Sequence, residues 1–122
     1  MDLFRKFTFE AAHLLPNLPD GHKCRRLHGH SYQVEIHVRG DVEPHTGMVV
    51  DFADISSAFQ PLWQQLDHNY LNEVDGLANP TSENLAVWIW ERLAGALPLH
   101  RVVVQETCTS GVDYKGPERQ RT

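Results

Sequence analysis

Two histidines separated by a single glycine, in His28-Gly29-His30, are the residues of this chain with the clearest chemical meaning. Side chains two residues apart on a β-strand point to the same face, so an extended segment here would project both imidazoles together. Gly29 between them would allow another backbone or a ligand to approach closely. His13 ends an alternating apolar segment upstream and supplies a third imidazole. Three histidines without an obvious fourth protein ligand are typical of a catalytic zinc site that keeps one coordination position open.

The identity of the metal is less strongly indicated than its presence. Zinc is favoured because imidazole suits this ion and because the site then needs no redox chemistry. Imidazole also binds copper, nickel and iron, so the residues alone leave these metals as alternatives. The remaining histidines of the chain that occur singly are interpreted as structural or surface residues: His22, His37, His45 and His100.

Cys24 lies four residues before His28 in a loop that also carries Lys23, Arg25 and Arg26. Positive charge beside a thiol stabilises the thiolate, which makes Cys24 a candidate catalytic base or nucleophile. Two other interpretations stay open, namely a fourth ligand that closes the metal site and an inert, packed thiol.

The sequence neighbours of two carboxylates suggest a catalytic or ligand-binding role. Asp67 could orient the imidazole of His68, as a carboxylate does in a catalytic triad, although the sequence alone favours an ordinary surface loop. Glu106 lies in an apolar, β-branched segment. A carboxylate there needs a partner that offsets its burial, either a structural arginine or a ligand that offers paired N–H groups.

Composition narrows the class of protein. A chain of 122 residues with 41% hydrophobic and 22% charged residues predicts one globular domain with an adequate core. Eleven basic against 16 acidic side chains give a formal net charge of −5, which argues against nonspecific nucleic-acid binding. No apolar run approaches the ~20 residues of a membrane helix, and the N-terminus lacks a secretory pattern. The sequence therefore predicts a cytoplasmic protein that binds neither membrane nor nucleic acid.

Hydrophobic periodicity predicts the order β-β-α-α-β-β. Alternation indicates strands over 3–13 and 31–39, and β-branched residues indicate strands over 101–108 and 112–115. Helical spacing indicates a helix from 52 capped by Asp51, which Pro61 should kink or split, and a second helix over 81–96.

These elements predict an α+β fold with a four-stranded antiparallel sheet and two helices on one face. The predicted domain spans 1–116, and the polar segment 117–122 is predicted to be a frayed tail. Edge strands are a liability for a monomer, so pairing of edges in a ring-shaped homo-oligomer is expected.

Five segments together carry a resemblance to a known family. They are FEAAH at 9–13, CRRLHGH at 24–30, LDH at 66–68, NPTSE at 79–83 and ETCT at 106–109. In this order, and across nearly the whole chain, they resemble the 6-pyruvoyl-tetrahydropterin synthase family. The resemblance implies the tunnelling fold, in which subunits join edge to edge around a ring. It further implies a homohexamer of two trimers with active sites at subunit interfaces.

The resemblance also assigns a role to each matching residue. It implies that His13, His28 and His30 are zinc ligands. It implies that Cys24, Asp67 and His68 are catalytic residues. It implies that Glu106 and Thr107 bind the pterin. Under this assignment the pair at 67 and 68 works with the thiol, against the surface-loop interpretation.

Only three residues separate Cys24 from His28, which resembles the bacterial, carboxy-forming branch of the family. That branch implies a lyase of queuosine biosynthesis that converts 7,8-dihydroneopterin triphosphate to 6-carboxy-5,6,7,8-tetrahydropterin, acetaldehyde and triphosphate. A 6-pyruvoyl-tetrahydropterin synthase and a non-catalytic, zinc-binding ring protein are the alternatives. Two positions depart from the bacterial pattern. Leu14 stands where a basic residue is common, and Asn69 stands where a second histidine often follows the Asp-His pair.

Overall fold

The computed structural model describes residues 1–107 and 109–117. It consists of β1 (Asp2–His13), β2 (His28–Arg39), α1 (Phe52–Leu66), α2 (Ser82–Leu93), β3 (Leu99–Glu106) and β4 (Ser110–Tyr114). The strands form one antiparallel sheet in the order β1-β2-β3-β4. The predicted α+β class and element order are confirmed, while Cys108 and the tail from 118 onward lie outside the described residues.

The core lies between one face of the sheet and the two helices. Alternate residues of β2, from Tyr32 to Val38, are 0–1% exposed, as the apolar alternation predicts. They pack in one cluster with the apolar stripes of both helices, which include Ile55, Phe59, Leu66, Leu85 and Ile89. No helix among the described residues is long and apolar enough to cross a membrane.

The prediction that Pro61 splits the first helix is wrong. Helix α1 begins after Asp51, whose carboxylate accepts a hydrogen bond from the Ala53 N–H at 2.9 Å, and it runs through Pro61 to Leu66. Pro61 and Ser57, four residues earlier, are both exposed. Water can therefore satisfy the Ser57 carbonyl that the proline leaves without its helical N–H donor.

Several predicted boundaries also shift, and β3 and β4 each begin two residues earlier than predicted, at Leu99 and Ser110. Strand β2 begins at His28, three residues earlier than the alternation indicates, so both histidines of the His28-Gly29-His30 segment lie within the strand. Helix α2 begins after the cap Thr81 and ends at Leu93 rather than at 96. The earlier start of β2 matters most, because it fixes the side-chain directions of the two histidines.

The segment after α1 covers the outer edge of β1. The His68 N–H donates to the Glu10 carbonyl at 2.6 Å, and the Ala12 N–H donates to the Asn69 carbonyl at 3.2 Å. These backbone bonds hold His68 beside the end of the sheet that carries His13 and leave the beginning of β1 as an open edge.

Candidate metal centre and active site

Strand register brings three imidazoles together at one end of the sheet. His13 lies opposite His28, and Ala11 lies opposite His30, so all three histidines project from the same face. Their ring centroids are 4.5 to 5.0 Å apart, and their potential ligand nitrogens all lie within 4.8 Å of one another. His13 is 1% exposed. Gly29 faces away from the cluster, and an added Cβ there would meet nothing nearer than the Ala11 carbonyl at 3.5 Å. No close approach within one protomer therefore requires this glycine.

Backbone carbonyls orient two of these rings. The Nδ1 atom of His13 lies 2.8 Å from the Pro80 carbonyl, and that of His28 lies 2.7 Å from the Arg26 carbonyl. A carbonyl can only accept, so each Nδ1 carries the hydrogen and each Nε2 presents a lone pair. These two Nε2 atoms are 2.9 Å apart. Facing lone pairs at this distance require a proton or a metal ion between them, and the arrangement fits a divalent metal with carbonyl-oriented histidines.

Burial favours the metal over the proton. The pKa of His13 is lowered from its ordinary value, because burial of the ring, together with the neighbouring imidazoles, outweighs the raising effects of the Pro80 hydrogen bond and of Glu106. A ring that resists protonation stays neutral, and neutral imidazole is the form that binds metal ions.

His30 has partners of a different kind. Its Nδ1 atom lies 3.0 Å from the Thr107 hydroxyl, and its Nε2 atom lies 3.4 Å from a carboxylate oxygen of Glu106. The same oxygen is 3.8 Å from the His13 Nε2 atom. Among the described residues, Glu106 has no arginine partner. Its carboxylate borders the imidazole cluster at the end of β3, where a ligand held by Glu106 would also meet the metal position.

Asp67 and His68 form an oriented pair rather than an unstructured loop. The Asp67 carboxylate accepts from the Glu10 N–H at 3.0 Å and from the His68 Nδ1–H at 2.7 Å. The Glu10 bond, followed by the His68 bond, lowers the pKa of Asp67 below its ordinary value, so the carboxyl is ionised. The His68 side chain is 77% exposed and borders a cavity of about 610 Å³ that His30 and Thr107 also line. This arrangement can hold a proton-transfer group in the triad manner.

Cys24 lies apart from both groups. It belongs to a short 3-10 helix, Lys23–Arg25, and is half-buried. Its N–H donates to the Nδ1 atom of His22 at 3.1 Å, and its carbonyl accepts from the Leu15 N–H at 2.8 Å. Its thiol is not a member of the imidazole cluster, so the interpretation as a fourth metal ligand is not supported. Within the described ranges, no hydrogen bond or ion pair joins Cys24 to the pair at 67 and 68.

Arg25 stabilises the loop that carries the Cys24 thiol through contacts within that loop. Its Nη1 atom donates to the carbonyls of Pro16 at 2.8 Å and Leu18 at 2.9 Å, and its Nε atom lies 3.3 Å from the Asp20 carboxylate. Arg26 is different, because no carboxylate of the described chain lies within 4.0 Å of its guanidinium. It borders a second cavity, of about 480 Å³, together with Gly21, His22 and Arg25.

Comparison with known proteins decides the family. The sequence model of 6-pyruvoyl tetrahydropterin synthase matches residues 2–117. The chain belongs to the 6-pyruvoyl tetrahydropterin synthase family. It is 47% identical to a 6-carboxy-5,6,7,8-tetrahydropterin synthase from Synechocystis, over 94% of this chain and 93% of the relative. It is 38% identical to the 6-pyruvoyl tetrahydrobiopterin synthase of Homo sapiens, over 92% of this chain and 89% of the relative.

The fold agrees with a solved member of the family. The structure of the Caenorhabditis elegans 6-pyruvoyl tetrahydropterin synthase superposes with a TM-score of 0.87 at 30% identity and covers 96% of both chains. The family resemblance, its fold and the prediction that the chain is an enzyme are confirmed.

The groups that orient the imidazole rings and the chain after His13 in this family member could not be predicted from the sequence. The carbonyls of Arg26 and Pro80 belong to the backbone, which leaves no signal in residue type. Asn72 pairs its side-chain amide with both backbone groups of Leu14, at 3.0 and 2.9 Å, and so fixes the chain directly after His13. Asparagine is ordinary in a loop, so its residue type gives no signal of this contact.

Proposed function

We propose that this chain is a zinc-dependent 6-carboxy-5,6,7,8-tetrahydropterin synthase of queuosine biosynthesis. The reaction converts 7,8-dihydroneopterin triphosphate and one water to the carboxylated pterin, acetaldehyde and triphosphate. The observation that carries the proposal is the convergence of the Nε2 atoms of His13 and His28 beside the Glu106 carboxylate. Identity of 47% to the Synechocystis carboxy-forming relative, against 38% to the human pyruvoyl-forming one, supports this branch.

His13, His28 and His30 would hold zinc through their Nε2 atoms and leave one coordination position for the substrate side chain. When bound, the metal supplies Lewis acidity that polarises the side-chain hydroxyls. The carbonyl partners of His13 and His28 keep those two rings in the tautomer that such binding needs.

Glu106 would fix the pterin ring. An ionised carboxylate can accept two hydrogen bonds from the adjacent N–H groups of the pterin edge. Because this carboxylate lies 3.4 Å from the His30 ring, a pterin anchored there would extend its side chain toward the metal position. Thr107 lines the neighbouring cavity and supplies a further polar contact.

Cys24 and His68 would move the protons of the side-chain carbons, with Asp67 holding the imidazole in one tautomer. Among the residues described in one protomer, no hydrogen bond joins the Cys24 thiol to His68 or Asp67. We infer that a second copy of the chain completes the site, in a homohexamer of two trimers that pairs the outer edges of β1 and β4. The open edge of β1 before residue 8 and the outer position of β4 in the sheet support this assembly.

The triphosphate would lie against Arg26 and Lys23. Both side chains are exposed, and neither has a carboxylate within 4.0 Å among the residues the structure describes. Arg25 is engaged by two carbonyls and Asp20, so its role is to hold the loop rather than to bind substrate.

A 6-pyruvoyl-tetrahydropterin synthase is the second candidate, favoured by identities of 38% to two 6-pyruvoyl tetrahydrobiopterin synthases over 92–94% of the chain. It would retain all side-chain carbons and release no acetaldehyde. Product analysis after incubation with 7,8-dihydroneopterin triphosphate separates the two. Trapped acetaldehyde together with a carboxylated pterin is expected. A pyruvoyl pterin without acetaldehyde would establish the second candidate, and no turnover by the zinc-loaded assembly would indicate a non-catalytic zinc-binding ring protein.

A further inference from the structure

Two non-glycine residues in the described ranges have a left-handed backbone, His68 at φ +56° and Thr107 at φ +49°. For a β-branched residue such as threonine this conformation is an outlier, because Cβ crowds the backbone. Strain of this kind persists only where surrounding contacts maintain it, and it is concentrated at functional sites. The contacts of Thr107 therefore indicate what the strained turn is for.

The turn aims the Thr107 hydroxyl at a ring of the imidazole cluster. The Thr107 N–H donates to the Ser31 carbonyl at 2.7 Å, which ties the turn to the residue after His30. The hydroxyl then lies 3.0 Å from the His30 Nδ1 atom. Without the left-handed turn after Glu106, the chain would continue along the direction of β3 and carry this side chain away from the cluster.

The chemistry of this contact differs from that of the other two rings. His13 and His28 contact carbonyls, which only accept, so one tautomer is fixed. The Tyr32 hydroxyl also lies 3.2 Å from the His13 Nδ1 atom, but the shorter contact with the Pro80 carbonyl, at 2.8 Å, makes Nδ1 the donor. A hydroxyl can accept or donate, so His30 can adopt either tautomer. When Nδ1–H donates to Thr107, Nε2 is free to bind a metal ion. When Thr107 donates to Nδ1, the hydrogen is on Nε2 and faces the Glu106 carboxylate at 3.4 Å.

We propose that Thr107 is a positioning residue whose hydroxyl supports the Nδ1–H tautomer of His30 when metal binds, and that this change of tautomer couples metal binding to the availability of Glu106 for the pterin. Metal binding selects the Nδ1–H tautomer, which removes the hydrogen from the Nε2 atom that lies 3.4 Å from Glu106. The carboxylate is then free to accept the pterin N–H groups. By thermodynamic reciprocity, a bound pterin strengthens metal binding by the same factor. This inference rests on the metal centre of the proposed function.

Thr107→Val and Thr107→Ser separate the hydroxyl from the backbone strain. Valine keeps the β-branched shape, and so the strain, but lacks the hydroxyl, whereas serine keeps the hydroxyl. Metal-free protein is titrated with Co²⁺, followed by its visible absorption, and with Zn²⁺ against a chelator. Thr107→Val should lower the affinity for both metals by about 10–100-fold, the usual effect of losing a hydrogen-bond partner of a metal ligand. Thr107→Ser should bind both metals as tightly as the parent does.

Coupling is measured with 7,8-dihydroneopterin, which lacks the phosphates. The parent should bind this pterin at least about 5-fold more tightly with metal than without. Thr107→Val should keep or increase this difference, because the metal-free ring then favours the Nε2–H tautomer that faces Glu106. If valine does not fold, Thr107→Gly removes both hydroxyl and strain, and it should raise the melting temperature of the metal-free protein while weakening metal binding.

The inference would be overturned if Thr107→Val bound metal as tightly as the parent, or if Thr107→Ser bound metal as weakly as Thr107→Val. So would a pterin affinity that is the same with and without metal. His13→Ala distinguishes these results from failure of the metal centre itself. If this variant binds Co²⁺ as the parent does, the proposed zinc site is wrong, whatever the role of Thr107.

Discussion

His13 and His28 face each other through their Nε2 atoms at 2.9 Å, while the Nδ1 atom of each donates to a backbone carbonyl. The strand register places the two residues directly opposite each other, so the sheet itself maintains this distance. Because neither nitrogen can donate to the other in this tautomer, the folded protein keeps two lone pairs in contact. A cation between them removes that repulsion, so metal binding and folding stability should be linked.

Removal of metal should therefore lower the melting temperature of the protein. A ligand that binds only the folded state stabilises it by about 2.7 kcal/mol at a concentration 100 times its Kd. His13→Ala should lose both the metal, measured by elemental analysis, and the stabilisation by added Zn²⁺. His45→Ala is the control, because His45 is exposed and lies in the loop after β2. Stabilisation of His13→Ala by zinc equal to that of the parent would contradict the three-histidine site.

Cys24→Ala should retain metal and fold but lose turnover. The thiol is outside the imidazole cluster, so its removal leaves all three Nε2 atoms in place. Loss of a proton-transfer group costs about 10²- to 10⁴-fold in rate. Metal content and rate are measured on the same preparation. Release of zinc from this variant, or a normal rate, would show that metal binding and proton transfer are not divided as proposed.

Asp67→Asn should show over which pH range the ionised Asp67 carboxylate stabilises the folded protein. The pKa of Asp67 in the folded protein lies below its ordinary value of 3.8, first because of the Glu10 N–H and then because of His68. Its contribution is thus fully present above the ordinary value and is lost as the pH falls through the lowered one. The difference in melting temperature between parent and Asp67→Asn should be present at about pH 5 and shrink below about pH 4. A difference that grows as the pH falls from about 5 to 3 would contradict this assignment.

The same substitution should also slow turnover at neutral pH, because an asparagine amide does not select the tautomer of His68 that the carboxylate selects. The rate, measured with metal content unchanged, separates this effect from a loss of zinc.

The parts of the site that follow from side-chain periodicity could be predicted, and the parts that depend on backbone atoms or on another chain could not. Alternation of two residues placed His28 and His30 on one face, and the apolar alternation of β1 placed His13 with them. The carbonyls of Arg26 and Pro80 orient these rings without any trace in residue type. The early start of β2 does not follow from hydrophobic alternation, because His28, Gly29 and His30 include no apolar side chain that would mark a buried face.

Assembly of the active site from two protomers can be tested by mixing two inactive variants. Cys24→Ala supplies an intact His68, and His68→Ala supplies an intact thiol. If each site takes these groups from different subunits, dissociated and reassembled mixtures should regain about a quarter of parental activity under random exchange. Sedimentation checks that each variant forms the same oligomer as the parent. Mixtures that remain as inactive as the separate variants, despite subunit exchange, would contradict a site shared between copies.

Arg26→Gln should weaken binding of the triphosphate and leave the pterin end of the site unchanged. A charge-assisted hydrogen bond contributes about 1.5–3 kcal/mol, so KM should rise about 10–100-fold with kcat little changed. Affinity for 7,8-dihydroneopterin without phosphates should match that of the parent, while affinity for inorganic triphosphate, measured by calorimetry, should fall by the same factor as KM rises.

Arg25→Gln provides the matched comparison, because Arg25 holds the loop through the Pro16 and Leu18 carbonyls rather than presenting a free charge. This variant should lower the melting temperature and reduce kcat by misplacing Cys24, with a smaller effect on inorganic triphosphate. If Arg25→Gln loses triphosphate affinity and Arg26→Gln does not, the roles of the two arginines are reversed. The hydrogen bonds from Arg25 to the Pro16 and Leu18 carbonyls would then have to break when substrate binds.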